Sequence, residues 1–435
     1  MLIKFSVENY KSFKELMTFD LTKTAGDEKS GNYNSFGKGA YLHSAIIYGS
    51  NASGKSNLLE AMFCMFNLIL SHMSSPMLKL DYHPFSFDLN SKNSSTMFEI
   101  TVLIEGDIWQ YGFNYNADRI MDEWLYLQKS NSSRTQIIFT REFHTESQTY
   151  DYKFGPSLKG EKKLWSKSTK DNSLFITTAV SLNCDFLNIF SEYIFRNFLY
   201  GSEKGFISGG IRSAEDKDEN CIEPTDIYIY NNRERTDKLI RAMKQADFHI
   251  CNIEVKKREL KDINIHFDDS IPEEIKNSIL KSHSYDTVFY HEGKDGNVYP
   301  LSLKSESEGT RQYFMIIGMV IQIMESGGVI IWDELNNSLH PLLLENIINL
   351  FHNPKINTKH AQLICTCHDL SVMRQDIFRR DQIWLMERDC GESKLTSLSD
   401  YKVRKDFENI SNFYLLGRYG AIPSIDNTKF IEEIF

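Results

Sequence analysis

Eight residues constrain this chain more than any others: Gly49-Ser50-Asn51-Ala52-Ser53-Gly54-Lys55-Ser56, which reads G-x-x-x-x-G-K-S. The apolar run Ala45-Ile46-Ile47-Tyr48 precedes it, and a helical pattern from about Lys55 to Met73 follows. A strand that turns through glycines into a helix start aims successive backbone N–H groups inward and adds the partial positive charge of the helix terminus. That geometry cradles phosphate oxygens. The Lys55 ammonium can reach a β- or γ-phosphate, the Ser56 hydroxyl can ligate Mg²⁺, and Asn57 closes the expected nucleotide-binding run. Such a loop needs a sheet with helices packed on it, so the expected class is α/β.

The second half of a phosphate site belongs at the end of a neighbouring strand. Gly327-Gly328-Val329-Ile330-Ile331-Trp332-Asp333-Glu334 supplies it: four apolar residues, then two carboxylates. Ligands of open α/β sheets collect at this end of the strands. Asp333 would hold Mg²⁺ through water, and Glu334 is placed to orient or deprotonate an attacking water. More than half of the chain separates Lys55 from Asp333, so a large lobe is expected between the two halves. The expected division is 1–150 for an N-terminal half with a β-rich part, 151–285 for an inserted, mostly helical lobe, and 286–435 for the C-terminal half. Strands are expected at 2–8, 16–21, 97–115 (with a hairpin at Gly106-Asp107), 123–129, 287–291, 329–333, 361–366 and 381–387. Helices are expected near 173–200, 234–248, 309–325 and 341–352, a mobile loop over Thr22–Gly39, and an acidic break at Glu215, Asp216, Asp218 and Glu219. No heptad run is long enough for a coiled coil.

Composition narrows the class. The 435 residues carry 49 Lys+Arg against 59 Asp+Glu, a formal net charge of -10, which excludes a surface devoted throughout to nucleic acid. A local cluster, Lys153, Lys159, Lys162, Lys163, Lys167 and Lys170, reads either as a solvated loop or as a phosphate-contacting patch. The seven cysteines are scattered and odd in number, so a reduced, cytoplasmic setting is expected. The start has no signal-peptide core, and the longest apolar stretches, 61–70 and 313–324, fall short of the roughly 20 residues that span a bilayer. Cys365, Cys367 and His368 invite a metal reading. Strand alternation sends neighbouring residues to opposite faces and no second cysteine pair lies near, so the cysteines read as core.

With these motifs in place the chain resembles the ABC/SMC-type ATPases, in particular the RecF- and OLD-like branch and the stand-alone ATPases of phage-defence and abortive-infection modules (RloA- and AbiL-like). The resemblance runs from Phe5-Ser6-Val7-Glu8-Asn9-Tyr10-Lys11-Ser12-Phe13 through the Asn51-containing loop to Asp333-Glu334, Asn337-Ser338-Leu339-His340-Pro341 and the closing segment from Tyr414 to Pro423. It implies an ABC-type head with ATP and Mg²⁺ and with Lys11 near the nucleotide. Ser307-Glu308-Gly309-Thr310-Arg311-Gln312 is similar to the family signature, although Glu308 and Thr310 replace two glycines of the transporter form. The resemblance assigns Ser307 and Gly309 to ATP held by a second copy, and His368 to sensing the γ-phosphate. The usual glutamine ligand of Mg²⁺ has no counterpart; His83-Pro84-Phe85-Ser86-Phe87 stands in its place. The implied assembly is a homodimer or a higher even-numbered oligomer with ATP sandwiched between heads. The implied role is control of a separate effector, such as a Toprim- or RloB-like or HNH nuclease, in anti-phage defence. A phage protein or nucleic acid would be the trigger, and no membrane is involved. The alternative is a RecF-like DNA-binding ATPase in repair.

Overall fold

The phosphate-loop strand lies in the middle of a parallel sheet because every one of its residues is apolar or small enough to be covered on both faces. The computed structural model describes residues 1–37, 39–71, 79–202, 205–208, 223–258, 285–402 and 409–423. The acidic break at 215–219 and Cys221 lie outside the described residues. A first, antiparallel sheet contains β1 (Leu2–Glu8) and β2 (Met17–Asp20); Tyr33–Phe36 and Gly39–Leu42, β3 and β4, pair separately. The loop strand is β5 (Ser44–Gly49), and α1 (Lys55–Leu70) follows it. Strands β6 (Thr96–Ile104), β7 (Asp107–Tyr115), β8 (Ile120–Gln128), β9 (Thr135–His144) and β10 (Thr149–Phe154) complete the first sheet in the order β10-β9-β8-β7-β6-β1-β2.

Three short helices, α2 (Lys162–Ser168), α3 (Phe175–Ser181) and α4 (Asp185–Asn197), lead into β11 (Phe198–Ser202) and β12 (Gly205–Ser208). Next come α5 (Thr225–Ile229), α6 (Arg233–Gln245), β13 (Ile250–Lys257), β14 (Tyr285–Glu292) and β15 (Val298–Ser302). The last part holds α7 (Glu308–Ser326), β16 (Val329–Trp332), α8 (Pro341–His352), β17 (Gln362–Thr366), β18 (Ile383–Asp389), β19 (Glu392–Ser397) and α9 (Ile410–Leu415). The central sheet runs β12-β11-β16-β17-β5-β18-β19, with its five inner strands parallel and both edges antiparallel. One apolar core joins α1, through Leu58, Met62 and Phe66, to the antiparallel sheet and to one face of the central sheet. A second core packs α7 and α8 on the other face.

The described residues of the expected 151–285 lobe pack into both cores of the molecule and include strands as well as helices. Helices α3 and α4 bury Phe175, Ile176, Leu187 and Phe190 in the first core, whereas α6 buries Leu239 and Met243 in the second. Strand β11 pairs in parallel with β16, Leu199 opposite Ile330 and Gly201 opposite Trp332. The helix expected over 173–200 therefore breaks twice. Phe198-Leu199-Tyr200 continues the apolar spacing of α4, so periodicity alone does not separate the strand from the helix before it. The stretch expected as a loop over 22–39 holds β3 and the start of β4, and β9, β10, β12, β13, β15 and β19 had no sequence expectation. The hairpin turn sits one residue earlier than expected, at Glu105-Gly106, with φ of 49° and 90°. Both central residues being left-handed matches the two-residue turn whose twist suits paired strands. Among the described residues no helix is long and apolar enough to cross a membrane.

A histidine cluster sits beneath the starts of β5 and β17. His43 Nδ1 donates to the Gly31 carbonyl at 2.9 Å, and its ring stacks on His360 at 5.6 Å between centroids. His352 Nε2 and the Ser44 hydroxyl share a hydrogen bond of 2.7 Å. Burial pulls the His43 pKa down to about 4 and that of His352 to about 3, with charge repulsion between the rings adding to it. Folding thus favours the neutral rings. Their contribution is complete above the ordinary histidine pKa of 6.5 and is lost as pH falls from there toward 4 and 3. Two such protons give a slope of roughly 2.7 kcal/mol per pH unit over that window. A melting series from pH 7 to 5 is expected to show a steep fall that flattens in His352→Gln.

Candidate functional site

The parallel strands deliver their C-terminal ends to one edge of the central sheet, and the loop after β5 is built there. A Cβ on Gly49 would overlap the Met386 carbonyl and the Ser53 hydroxyl. Gly54 has φ of 107°, and a Cβ there would overlap the Ser393 and Ser12 hydroxyls. Both positions therefore need glycine. The loop is braced from two sides. The Ser393 hydroxyl bridges Ser12 Oγ at 2.7 Å and the Ser53 carbonyl at 2.6 Å. Asn57 Nδ2 donates to Ser12 Oγ at 2.7 Å, and Arg388 Nη1 donates to the Ala52 carbonyl at 3.1 Å.

Lys55 opens α1 and turns its ammonium back onto the loop, donating to the Gly49 and Ser50 carbonyls at 2.9 Å each. Burial lowers its pKa, while Asp333 and Glu334 act in the opposite direction and hold the charge. Asp333 and Glu334 follow β16 and share one hydroxyl on β17. Thr366 Oγ1 donates to Asp333 Oδ1 at 2.6 Å and accepts from the Glu334 N–H at 2.7 Å. Glu334 has φ of 53°, a left-handed conformation that costs a non-glycine residue roughly 1–2 kcal/mol and is held where surrounding structure over-determines it. Asn337 Nδ2 donates to Glu334 Oε2 at 2.7 Å, so one carboxylate oxygen is fixed. His368 Nε2 lies 3.9 Å from the other, Oε1, and the His368 N–H donates to Asn336 Oδ1 at 2.9 Å. Burial first, then the Lys55 charge, lowers the His368 pKa against the pull of Glu334 and Asp333. The ring is therefore neutral at neutral pH.

A cleft of about 480 Å³ opens beside this group, lined by Gly49, Ser50, Asn51, His368, Tyr414 and Pro423 among others. A second, of about 380 Å³, is lined by Lys11, Ser12, Asn57, His83, Phe87 and Arg388 among others. Lys11 belongs to this second cleft, where its ammonium pairs with Glu60 and its N–H donates to the His83 carbonyl at 2.7 Å. Ser307 and Gly309 lie elsewhere. Ser307 caps α7, its Oγ accepting from the Thr310 N–H at 3.1 Å; it is exposed and lines neither cleft. A Cβ on Gly309 would stand 2.8 Å from the Ser338 carbonyl, so the start of α7 packs on the loop that follows Glu334.

The structure thus gathers Lys55, Asp333, Glu334 and His368, seats Lys11 across the loop, and leaves Ser307 on the surface. Cys365 and Cys367 are buried in the second core. The residues fit a phosphate and its magnesium ion. The glycines leave no side chain over the loop at 49 and 54, the Ser53 hydroxyl is buried with no partner among the described residues, and the Asp333 carboxylate, held by Thr366, acts on Lys55 at the start of the helix that carries Ser56. Magnesium bound to phosphates takes few protein ligands, so Ser56 and Asp333 suffice without a cage of acidic side chains. Sequence reasoning missed the Thr366 bridge, the Asn336 and Asn337 contacts, and the braces Arg388 and Ser393. Only Thr366 carried a signal, as a hydroxyl ending the strand beside the Asp-Glu strand.

Among solved structures, the SMC head domain from Thermotoga maritima aligns with 91% of this chain and 98% of its own, at 12% identity and a TM-score of 0.39, too slight a likeness to carry an inference. No curated protein matches the sequence significantly. A family profile described as "AAA domain, putative AbiEii toxin, Type IV TA system" matches residues 44–175 and 203–374. That match spans more than half of the sequence and takes in both the loop at 49–56 and the carboxylates at 333–334, so the chain belongs to this family of AAA-domain ATPases.

Proposed function

We propose that this chain is an ABC-type ATPase head of the RecF/OLD-like branch. It would bind Mg·ATP at the 49–56 loop, associate in pairs around the bound nucleotide, and control a separate effector, a nuclease or toxin, in anti-phage defence. The observation that carries the reading is the split of the candidate residues. Lys55, Asp333, Glu334 and His368 lie close enough to act on one another electrostatically, with His368 lining the cleft beside the phosphate loop, whereas Ser307 stands exposed at the start of α7 and none of them is among its hydrogen-bond partners. A Ser hydroxyl and helix N-terminal N–H groups on an outer surface suit a phosphate presented by another copy.

Within one chain the roles follow from position. The loop N–H groups and Lys55 hold the triphosphate. Ser56 and Asp333 would hold Mg²⁺, which supplies charge neutralisation at the β- and γ-oxygens. Glu334, fixed by Asn337, accepts a proton from or orients the attacking water, and neutral His368 can donate or accept a hydrogen bond at the terminal phosphate. Positioning and electrostatics carry such a reaction, since the transferred group asks for little covalent chemistry.

Ser307→Arg is expected to abolish the shift to a dimer that Mg·ATP induces in light scattering, while single-site nucleotide affinity stays within about threefold. A dimer formed equally well by this variant ends the reading. The RecF-like alternative draws on Lys153, Lys159, Lys163 and Lys167, all exposed on β10, α2 and the turn between them. Its measure in the same preparations is duplex binding by the ATP-bound protein that weakens steeply with salt.

A further inference from the structure

The closing segment, residues 409–423, lies beyond the stretch matched by the family profile, yet it reaches the nucleotide cleft. Tyr414, on α9, packs its ring against Tyr48, the last side chain before Gly49, at 6.3 Å between centroids. The Tyr48 hydroxyl donates to the Asp369 carbonyl at 3.1 Å, immediately after His368. One aromatic pair therefore touches the root of the phosphate loop, the histidine turn and the 409–423 segment.

The segment is tied down on its far side as well. The Tyr414 hydroxyl donates to the Ala421 carbonyl at 2.8 Å, and the Ala421 N–H donates to Glu387 Oε1 at 2.7 Å. The Tyr401 hydroxyl donates to the Tyr419 carbonyl at 3.0 Å. Gly420, with φ of 66°, lies so close to Glu387 that any Cβ would overlap the carboxylate. Glu387 sits on β18, the strand beside β5. Gly420 takes φ of 66° freely, but Ala421 at 59° is costly to hold there, and two side chains, Tyr414 and Glu387, maintain it. Tyr414 and Pro423 then stand with Asn51 and His368 around the same space.

We propose that residues 409–423 form a wall of the nucleotide site supplied by the same chain, and that Tyr414 is the positioning residue that fixes this wall to the phosphate loop and the His368 turn. The inference rests on the ATP-binding reading above and deepens it. Any shift of Gly49–Asn51 or of the 368–369 turn on nucleotide binding passes through Tyr48 and Tyr414 to the closing turn. Leu415 and Leu416, which are 62% and 77% exposed, ride on that turn.

Amide hydrogen exchange on the full chain tests it, with Mg²⁺ and the β,γ-imido analogue of ATP as the probe. In the native protein the analogue is expected to slow exchange at Ser53–Ser56 and, by at least about threefold, at Gly417–Ala421. Tyr414→Phe keeps the ring and removes the bond to Ala421. It is expected to retain the slowing at 53–56, lose it at 417–421, and lower kcat about tenfold with KM within about twofold. Tyr48→Phe, which cuts the tie to Asp369, is expected to do the same. Slowing at 53–56 with no change at 417–421 in the native protein overturns the proposal and leaves the ATP-binding reading standing, as does a native kcat in both variants. No slowing at 53–56 overturns the ATP-binding reading itself and the proposal with it.

Discussion

Lys55→Ala is expected to abolish measurable ATP turnover, a loss of at least about 10²–10³-fold in kcat/KM, because it removes the ammonium that opens α1 against the phosphate loop in a partly desolvated site. The ammonium does two jobs. It ties the Gly49 and Ser50 carbonyls together, and its charge faces Asp333 and Glu334. Alanine loses both, so nucleotide affinity should fall along with turnover. A second readout separates loss of charge from loss of folding. Lys55 lowers the His368 pKa, so in Lys55→Ala that pKa should rise while the melting temperature stays near native. Imidazole titration by NMR, with an isothermal binding measurement, checks both. Native turnover in this variant removes the phosphate loop from the account.

Glu334→Gln is expected to separate binding from turnover. The amide oxygen can still accept from Asn337 and the backbone keeps its left-handed turn, so the site's shape survives. The base does not. The expected result is a kcat lowered about 10²–10³-fold with ATP affinity changed by less than about threefold, and a long-lived ATP-bound dimer in light scattering. Single-turnover kinetics with labelled ATP measures the chemical step directly. A variant that hydrolyses ATP at the native rate would move the water-activating role away from Glu334.

Much of this site is legible in the sequence because its chemistry is local. A glycine-framed loop between an apolar strand and a helix, and an apolar strand ending in Asp-Glu, each fix a small geometry from adjacent residues, and the parallel sheet then has one edge on which to bring them together. The helices α7 and α8 carry their own end signals as well. Ser307 caps one and Gly327, at φ of 84°, stops it; His340 caps the other with Pro341 in its first turn. What fails is whatever depends on distant pairing. Strand β11 has the apolar spacing of a helix end and becomes a strand only because β16 offers it a parallel edge, with Gly201 lying where the Trp332 ring leaves no room for a side chain. Strands β9 and β10 are half exposed and gain their order by pairing, β9 on β8 and β10 on β9. Thr366 shows in the sequence only as a hydroxyl ending a strand, and Tyr414 only as part of a resembling segment; folding alone brings them to the site.

The claim beneath the rest is that each phosphate pocket is completed by another copy, and mixing two crippled proteins tests it most directly. Lys55→Ala cannot hold its own phosphates but still presents Ser307; Ser307→Arg holds phosphates but presents no usable signature. Each alone is expected to be inactive. Mixed in equal amounts, half of the pairs would carry one intact composite pocket, and turnover should return to about a quarter of the native rate if pockets act independently. Recovery of that order is the predicted result. A Ser307→Arg protein that hydrolyses ATP at the native rate on its own, with no gain on mixing, would contradict the account.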